Sequence, residues 1–216
     1  MRSSTKLSKL NYIEKLFSQE DSFLKEIKKT QNRQINIHSS EGKILQFLIH
    51  SFKIKTVIEI GTLTGYSTTW IARALPKTGK IYTIENDDQS IKSAKSNFLK
   101  LEKETQKKII LCSGNAKQEL EELKSKAPFD MLFIDADKIN YLEYLNWAEK
   151  NIRKGGLIIG DNTFLSGAVY TKKLPIRVRQ TTKKVMQEFN KQLANPKKYF
   201  SIMLPTEEGM TIGIKL

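Results

Sequence analysis

Apolar runs rich in β-branched residues alternate along most of the chain with polar stretches of helical length. The runs that predict strands lie at 55–60, 80–85, 108–112, 129–135 and 156–160. The stretch after the second run opens with aspartates and places one apolar face on a helix, formed by Ile91, Ala94, Phe98 and Leu101. Five strand–helix units in succession predict a parallel sheet with helices on both of its faces.

Serines and glycines mark further helix ends in this pattern. Ser39 or Ser40 is expected to cap the helix of EGKILQFLIHSF. The stretch NYLEYLNWAEKNIRKGG predicts a helix that stops at Gly155 and Gly156. Residues 1–52 contain no strand-like run, so we expect only helices there.

The last part of the chain predicts a helix over 178–193, followed by strands over 199–204 and 210–215. Only the segment PTEEG separates these two strands. It is too short for a crossover helix, so we expect the two strands to pair antiparallel.

The length and composition suit a single α/β domain. We predict one domain over residues 1–216, with a helical segment at 1–52 and a binding and catalytic core at 53–216. No apolar run approaches the roughly 20 residues of a membrane span, and the N-terminus lacks the apolar stretch of a secretory signal. The single cysteine, Cys112, lies in an apolar run, which indicates a buried thiol. Together these features predict a cytoplasmic protein.

The net charge is +14, which raises nucleic acid as a partner. Only six of the 37 basic residues are arginine, however, and the lysines are scattered. Arginine supplies the planar fork that reads phosphates and bases, whereas lysine is common on solvated faces. We therefore favour a solvated surface, with an anionic substrate or nucleic acid as the alternatives.

Carboxylates end four of the five predicted parallel strands. They are Glu59, Glu85, Asp135 and Asp161, whereas the third strand ends near Gly114. In open α/β sheets, ligands bind outside the carboxyl ends of the strands. Anionic strand ends suit a cationic ligand or a metal better than a bare phosphate.

The turn after the first strand has the spacing Gly-x-x-x-Gly, from Gly61 to Gly65, and not the G-x-G-x-x-G of dinucleotide sites. S-adenosylmethionine, which is cationic and has no phosphate, fits this turn. Glu59 would balance its positive charge, Ser67 would bind its carboxylate, and Glu85 would accept its ribose hydroxyls. The alternative is a plain tight turn between solvated strand ends.

Asp135 ends the fourth run and Asp161 follows the fifth, and these two runs should form neighbouring strands. Adjacent strands lie about 4.8 Å apart, so both carboxylates can aim at one point, with the amide of Asn162 beside them. Such hard oxygen ligands suit Mg²⁺ above all, and also Ca²⁺ or Mn²⁺. The alternative is a helix cap and a plain turn. His38 and His50 are isolated and indicate no softer metal site.

The blocks VIEIGTLTGYS, IYTIEND, GNA, FDMLFIDADK and GGLIIGDN resemble the class I S-adenosylmethionine-dependent O-methyltransferases, in particular the cation-dependent caffeoyl-CoA and catechol O-methyltransferase family. The resemblance covers roughly residues 35–216. It implies a Rossmann-like seven-stranded, mostly parallel sheet whose last strand is antiparallel, with helices on both faces and extra N-terminal helices. One departure is Asn115, where the family usually has proline, which changes the stiffness of the turn more than its chemistry.

The same resemblance assigns the site residues. It implies cofactor contacts at Ile37, Glu59, Gly61, Thr62, Ser67, Glu85, Ala116 and Asp135. It implies metal ligation by Asp135, Asp161 and Asn162, with Lys138 and Asp135 as catalytic residues, and we expect Asp137 to orient Lys138.

These assignments predict methyl transfer from S-adenosylmethionine to a hydroxyl of a small aromatic acceptor with two adjacent hydroxyls. The divalent cation would stabilise the phenolate, and Lys138 would help to remove or hold the proton. The loop TFLSGAVYTKKLPIRVRQ is expected to form a substrate wall. The aromatic ring and an anionic tail of the acceptor could contact four residues of this loop, namely Phe164, Tyr170, Lys172 and Lys173. A plain surface connection is the alternative.

The sequence leaves two rival functions open and also predicts an oligomer. An RNA methyltransferase would use the basic surface, but NPKKYF lacks the second proline of the motif for amino-group methylation. A cofactor-binding protein without catalysis would not need the metal triad together with Lys138. The segment KLNYIEKLF carries an apolar face that predicts a homodimer, formed by Leu10, Ile13, Leu16 and Phe17.

Overall fold

The computed structural model describes residues 2–29, 35–172 and 174–216. Its helices are α1 (Arg2–Phe17), α2 (Ser22–Lys29), α3 (Ser39–Ser51), α4 (Tyr66–Ala74), α5 (Asp88–Phe98), α6 (Lys103–Gln106), α7 (Ala116–Leu123), α8 (Tyr141–Asn151) and α9 (Gln180–Leu193). Its strands are β1 (Thr56–Ile60), β2 (Lys80–Glu85), β3 (Ile109–Ser113), β4 (Phe129–Ile134), β5 (Ile152–Gly160), β6 (Tyr199–Leu204) and β7 (Met210–Lys215). Short 3₁₀ turns occupy Lys124–Lys126 and Lys138–Asn140.

The strands form one seven-stranded sheet in the order β3-β2-β1-β4-β5-β7-β6. β1 to β5 pair in parallel, whereas β7 runs antiparallel to both of its neighbours, β5 and β6. This confirms the predicted fold, the predicted hairpin at the end of the chain and the predicted adjacency of β4 and β5. The adjacency matters most for the site, because it brings the carboxyl ends of these two strands together.

Helices cover both faces of the sheet, since successive residues of a strand point to opposite sides. On one face, Val57 and Met131 pack in a cluster with α3 and α4; on the other, Ile58 and Leu132 pack with α7, α8 and α9. These strand residues are fully buried. Burial of each such side chain stabilises the fold by about 1.5–3 kcal/mol. The central strands are therefore apolar on both faces, and their polar residues concentrate at the strand ends.

The N-cap of α3 is His38, so the prediction of a serine cap at Ser39 or Ser40 is wrong. The His38 side chain accepts a hydrogen bond from the amide of Ser40, and the carboxylate of Glu41 accepts one from the amide of His38 at 2.7 Å. This reciprocal arrangement is a capping box, which satisfies two free amides at the start of the helix. The two serines lie in the first turn.

The helix α8 ends at Asn151 and not at the glycine pair, so this predicted boundary is also wrong. β5 begins at Ile152 and contains both glycines, and its pairing with β4 shifts register between Ile152 and Leu157. At Gly156 a Cβ atom would lie 2.8 Å from the carbonyl oxygen of Asp130. The glycines therefore allow the irregular start of a strand to pack closely, a use of glycine typical of bulges.

Within the described ranges, the helices lack the combination of length and apolar character that crossing a bilayer requires. The cytoplasmic location stays a prediction.

Candidate active site

A cavity of about 430 Å³ lies at the carboxyl ends of β1, β2 and β4. This is the edge where open α/β sheets bind ligands. Seven of the eight residues predicted to contact the cofactor line it, namely Ile37, Gly61, Thr62, Ser67, Glu85, Ala116 and Asp135. The exception is Glu59, which is fully buried and does not reach the cavity wall.

Gly61, in the turn after β1, packs closely against the backbone at the end of β4. Its φ is +102°, a conformation that side chains rarely adopt, and a Cβ atom would lie 2.0 Å from the carbonyl oxygen of Asp135. Glycine is therefore required here by the backbone and by the neighbouring strand, in addition to any approach of a ligand. Its amide donates to the carbonyl of Ile84, which ties the turn to β2 as well.

Glu59 accepts hydrogen bonds from three hydroxyl groups beneath the cavity. Ser67 donates to Oε1 at 2.6 Å, and Thr68 and Thr83 donate to Oε2 at 2.5 and 2.6 Å. Burial raises the pKa of this carboxyl to about 7, against the opposing effect of the three hydroxyls. The predicted direct contact of Glu59 with a cofactor is corrected by this position: the carboxylate orients Ser67, which does line the cavity.

Glu85 is held at the end of β2 by three backbone amides. Leu63 donates to Oε2 at 2.8 Å, and Asn86 and Asp87 donate to Oε1 at 2.9 and 3.0 Å. A carboxylate offers about four acceptor positions, so roughly one stays available toward the cavity. The side chain is thus fixed in place before any ligand arrives.

The strands β4 and β5 place Asp135 and Asp161 side by side. The amide of Asp135 donates to the carbonyl of Ile60 at 2.9 Å, and the amide of Asp161 donates to that of Ile134 at 2.9 Å. The ladder therefore extends one residue past each strand end. Asn162 follows with a positive φ of 54° and donates its side-chain amide to Asp161 Oδ2 at 3.2 Å. The structure brings together the three residues expected to bind a metal.

The protein supplies too few hydrogen bonds and too little positive charge to stabilise the ionised form of Asp161. It is fully buried, and its Oδ1 atom has no hydrogen-bond partner among the described residues. Burial, followed by the negative charges of Asp135 and Glu41, raises the pKa of this carboxyl well above its usual range. A buried, repelled carboxylate oxygen beside a second carboxylate and an amide oxygen fits a hard divalent cation.

The donor set is limited to two carboxylates and one amide. Across the part of the chain that the structure describes, no three His, Cys, Asp or Glu side chains group closely enough to hold a metal ion. A cation at Asp135, Asp161 and Asn162 would therefore keep positions open for water or a ligand.

Lys138 reaches the same point from the 3₁₀ turn after β4. Its Nζ atom lies 2.6 Å from the hydroxyl of Tyr141, 3.3 Å from Asp135 Oδ1 and 3.3 Å from the carbonyl oxygen of Asp161. The three hydrogens of a lysine ammonium group thus have three acceptors within reach.

The prediction that Asp137 orients Lys138 is wrong. Asp137 accepts hydrogen bonds from the hydroxyl of Tyr144, at 2.7 Å, and from the side-chain amide of Asn140. It lies on the cavity wall but supports the start of α8.

A second cavity of about 630 Å³ adjoins the first one. The two share Lys138 and Asn162 in their walls, together with the segment from Ile35 to Ile37. The second is further lined by His38, Glu41, Leu165, Ser166, Glu207 and Glu208. Lys138 and the proposed metal ligand Asn162 thus lie where two ligands could meet, whereas Asp135 lines only the first cavity and Asp161 is buried behind both walls.

The loop after β5 lines the second cavity, but not with the aromatic residues that were expected to contact an acceptor. Leu165 and Ser166 line the second cavity, whereas Phe164 and Tyr170 pack edge to face on each other with ring centres 5.4 Å apart and are absent from the described wall. The two rings therefore do not line this cavity, and their contact with an acceptor stays a prediction. Lys172 is exposed, and Lys173 lies outside the described residues.

Two residues of the site were missed by sequence reasoning. Glu41 lies buried at the second cavity, and its spacing from the helix start is the signal of a capping box. Tyr141 was predicted only to lie in the helix of NYLEYLNWAEKNIRKGG. Its position three residues after Lys138 could have indicated contact with the lysine, because residues at this spacing share one side of a helical turn.

The sequence is similar to those of known methyltransferases. The sequence profile of the family described as O-methyltransferase matches residues 14–216. A catechol O-methyltransferase of Niastella koreensis is 41% identical over 137 residues, which cover 62% of this chain and 61% of that relative. The chain thus aligns with less than two thirds of the length of that protein. A caffeoyl-CoA O-methyltransferase of Medicago sativa is 32% identical over 91% of this chain and 83% of its own length.

Solved structures show the same architecture. The O-methyltransferase TomG from Streptomyces achromogenes, involved in tomaymycin synthesis and crystallised in complex with SAM, superimposes with a TM-score of 0.84. The two proteins are 29% identical, and the superposition covers 96% of each chain.

Proposed function

The chain belongs to the O-methyltransferase family, and from that premise we propose that it transfers a methyl group from S-adenosylmethionine to a hydroxyl of a small aromatic acceptor with two adjacent hydroxyls. The observation that carries this proposal is the junction of the two cavities at Lys138 and Asn162. One cavity would hold the methyl donor and the other the acceptor. Their reacting atoms would meet beside the strand ends, where close positioning supplies much of the rate acceleration.

The donor would occupy the smaller cavity. We propose that its contacts come from Ile37, Gly61, Thr62, Ser67, Glu85, Ala116 and Asp135, which line that cavity. Glu85 is the residue best placed for the ribose, because three backbone amides already fix its carboxylate. Glu59 would act from below, through its hydrogen bond with Ser67.

A divalent cation, most favourably Mg²⁺, would be held by Asp135, Asp161 and Asn162. The support is the buried Oδ1 atom of Asp161, which lacks a partner among the described residues, and the repulsion between the two carboxylates. When bound, such a cation stabilises an ionised acceptor hydroxyl by charge attraction.

Lys138 would hold the acceptor oxygen in the reacting position. As an ammonium group it stabilises the negative charge that develops when the hydroxyl loses its proton to solvent. The oxygen then forms a bond to the methyl carbon while the bond from that carbon to the sulfonium sulfur breaks. The two opposite charges cancel, and S-adenosylhomocysteine leaves.

We also propose a homodimer formed through α1 and α3. An apolar groove of about 510 Å³ lies between these helices and the turn before β7, and Leu10, Ile13 and Phe17 line it. Phe17 is 64% exposed and Phe47, on α3, is 70% exposed. An exposed apolar patch of this kind suits a second copy of the chain, whose equivalent patch has the same chemistry.

The proposed activity is tested with methyl-labelled S-adenosylmethionine and Mg²⁺. Catechol and 3,4-dihydroxybenzoate serve as acceptors, with phenol as the acceptor that lacks the second hydroxyl and bulk RNA as the competing class. We expect label in the diols and not in phenol or RNA. Transfer to RNA alone would overturn the proposal and support the alternative, an RNA methyltransferase that uses the basic surface.

A further inference from the structure

Tyr141 lies at the point where α8, β4 and β5 meet. It is fully buried, and its hydroxyl oxygen lies 3.0 Å from the carbonyl oxygen of Ile134 and 2.9 Å from that of Asp161. These are the last residue of β4 and the first residue after β5. The ring packs edge to face on Phe189 with centres 5.1 Å apart. The hydroxyl is thus held by the two strand ends that carry the proposed metal ligands.

The single hydrogen of this hydroxyl determines which of its hydrogen bonds it donates and which it accepts. A tyrosine hydroxyl has one hydrogen, which can go to only one of the two carbonyls. Its lone pairs therefore face the Nζ atom of Lys138, which lies 2.6 Å away and donates. This is the shortest of the three hydrogen bonds of that ammonium group, the other two both being 3.3 Å.

We propose that Tyr141 is the positioning residue of Lys138. Its hydroxyl and the carbonyl of Asp161 hold two hydrogens of the ammonium group on the protein side. The third hydrogen points to Asp135, at the boundary of the two cavities, where an acceptor oxygen can take it. Tyr141 itself touches neither donor nor acceptor. This inference rests on the proposed function, since it names the group that aims the catalytic lysine of that reaction.

Packing alone does not explain a tyrosine at this position. A phenylalanine ring would make the same contact with Phe189, and a buried hydroxyl is costly unless it is hydrogen-bonded. Tyr144 offers a matched comparison three residues later. Its hydroxyl donates to Asp137 at 2.7 Å and makes no described contact with Lys138.

The first experiment measures how readily the amine of Lys138 reacts, and it needs no methyl transfer. Wild type, Tyr141→Phe and Tyr144→Phe are treated briefly with acetic anhydride at neutral pH, and acetylation of Lys138 is measured by peptide mass spectrometry. The exposed Lys117 serves as the internal standard. We expect acetylation of Lys138 to rise at least threefold in Tyr141→Phe and to stay at the wild-type rate in Tyr144→Phe. Equal rates in wild type and Tyr141→Phe would overturn the inference. Circular dichroism checks that both variants fold.

The second experiment is a double-mutant cycle on methyl transfer to catechol. Tyr141→Phe should lower kcat about tenfold and leave the KM for S-adenosylmethionine unchanged. In a Lys138→Met background the same change should cost nothing further, because the group that Tyr141 aims is gone. A merely structural role would give independent losses, and independent losses would overturn the inference. Absence of turnover in wild type would refute the proposed function instead, and the acetylation result would still decide the role of Tyr141.

Discussion

The turn at Gly61 packs directly against the backbone of Asp135, with space for a hydrogen but not for a side chain between them. A Cβ atom at this position would lie 2.0 Å from the carbonyl oxygen of Asp135. The wall of the proposed donor cavity and the first proposed metal ligand are therefore parts of one rigid junction between β1 and β4. A change in the turn must move the strand end.

Replacing Gly61 by alanine should destabilise the protein more than positive φ alone explains. Left-handed backbone costs about 1–3 kcal/mol for other residues, and the clash with Asp135 adds to that cost. Gly155→Ala is the matched control: its φ is +70°, but the new Cβ atom would meet only the side chain of Arg153, at 3.3 Å. The free energy of unfolding in urea measures both. Equal losses in the two variants would contradict the close junction.

Replacing Glu85 by alanine should weaken binding of S-adenosylmethionine. A hydrogen bond from a ribose hydroxyl to a charged acceptor contributes about 1.5–3 kcal/mol, which corresponds to a roughly 10- to 150-fold higher Kd. Calorimetry with S-adenosylhomocysteine measures the change. Asp87→Ala is the control, because its carboxylate caps α5 and does not line the donor cavity. An unchanged Kd for Glu85→Ala would remove Glu85 from the donor site.

Without metal, the Asp161→Asn variant should be at least as stable as wild type. With metal bound, wild type should be the more stable of the two. In excess chelator the variant should melt at or above the temperature of wild type, because a repelled buried carboxylate is gone. With Mg²⁺ added, wild type alone should be stabilised, by about 2.7 kcal/mol at a hundredfold excess over Kd. Methyl transfer to catechol should likewise require the cation and fail in the variant. Full activity in chelator would leave a metal-independent enzyme.

The Glu59 carboxyl should make stability depend on pH in a definite direction. Its pKa is about 7 in the folded chain, against 4.5 as the ordinary value. Between these values the folded state keeps a proton that the unfolded state releases. The stabilisation of the folded state by this proton is therefore fully present below about pH 4.5. It is lost as the pH rises through 7, which lowers the free energy of unfolding by an amount on the order of 3 kcal/mol.

Glu59→Gln, which cannot ionise, should remove this dependence. Relative to wild type, the variant should gain stability in urea unfolding as the pH rises from 5 to 8. The exposed Glu121→Gln should show no such gain. A difference between Glu59→Gln and wild type that does not change with pH would contradict the raised pKa.

The proposed homodimer predicts a mass of twice 24.8 kDa by light scattering. Phe47→Glu should give the mass of one chain, because a charge in an apolar interface is costly to bury. Ile176→Glu is the control, since Ile176 is fully exposed in the loop before α9. A wild-type protein with the mass of one chain would exclude the dimer.

Local patterns predicted much of the fold and part of the site. Strand-like runs followed by helical patterns predicted the parallel sheet, and each run ended within one residue of the strand end in the structure. Asp135 and Asp161 could be paired from the sequence because each lies at the end of a run, and parallel strands end at one edge of the sheet. The hairpin of β6 and β7 followed from the short connection between them.

Other features depended on contacts between residues far apart in the chain. Asn151 ends α8 because pairing of β5 with β4 begins at once, and this tertiary pairing overrides the glycine signal four residues later. Glu59 was indistinguishable in sequence from a ligand-binding carboxylate. Only the tertiary structure brings the hydroxyl of Thr83, 24 residues away on β2, against it and closes it off from the cavity.

The sequence by itself therefore determined which chemical groups stand at the carboxyl ends of the strands, since that follows from local periodicity. The tertiary structure decided which of them face a ligand and which face the protein. Lys138 shows the reason. Its bonding partners are a strand-end carboxylate, a helix tyrosine and the carbonyl of Asp161 on the neighbouring strand. The last of these contacts exists only once the sheet has brought β4 and β5 side by side.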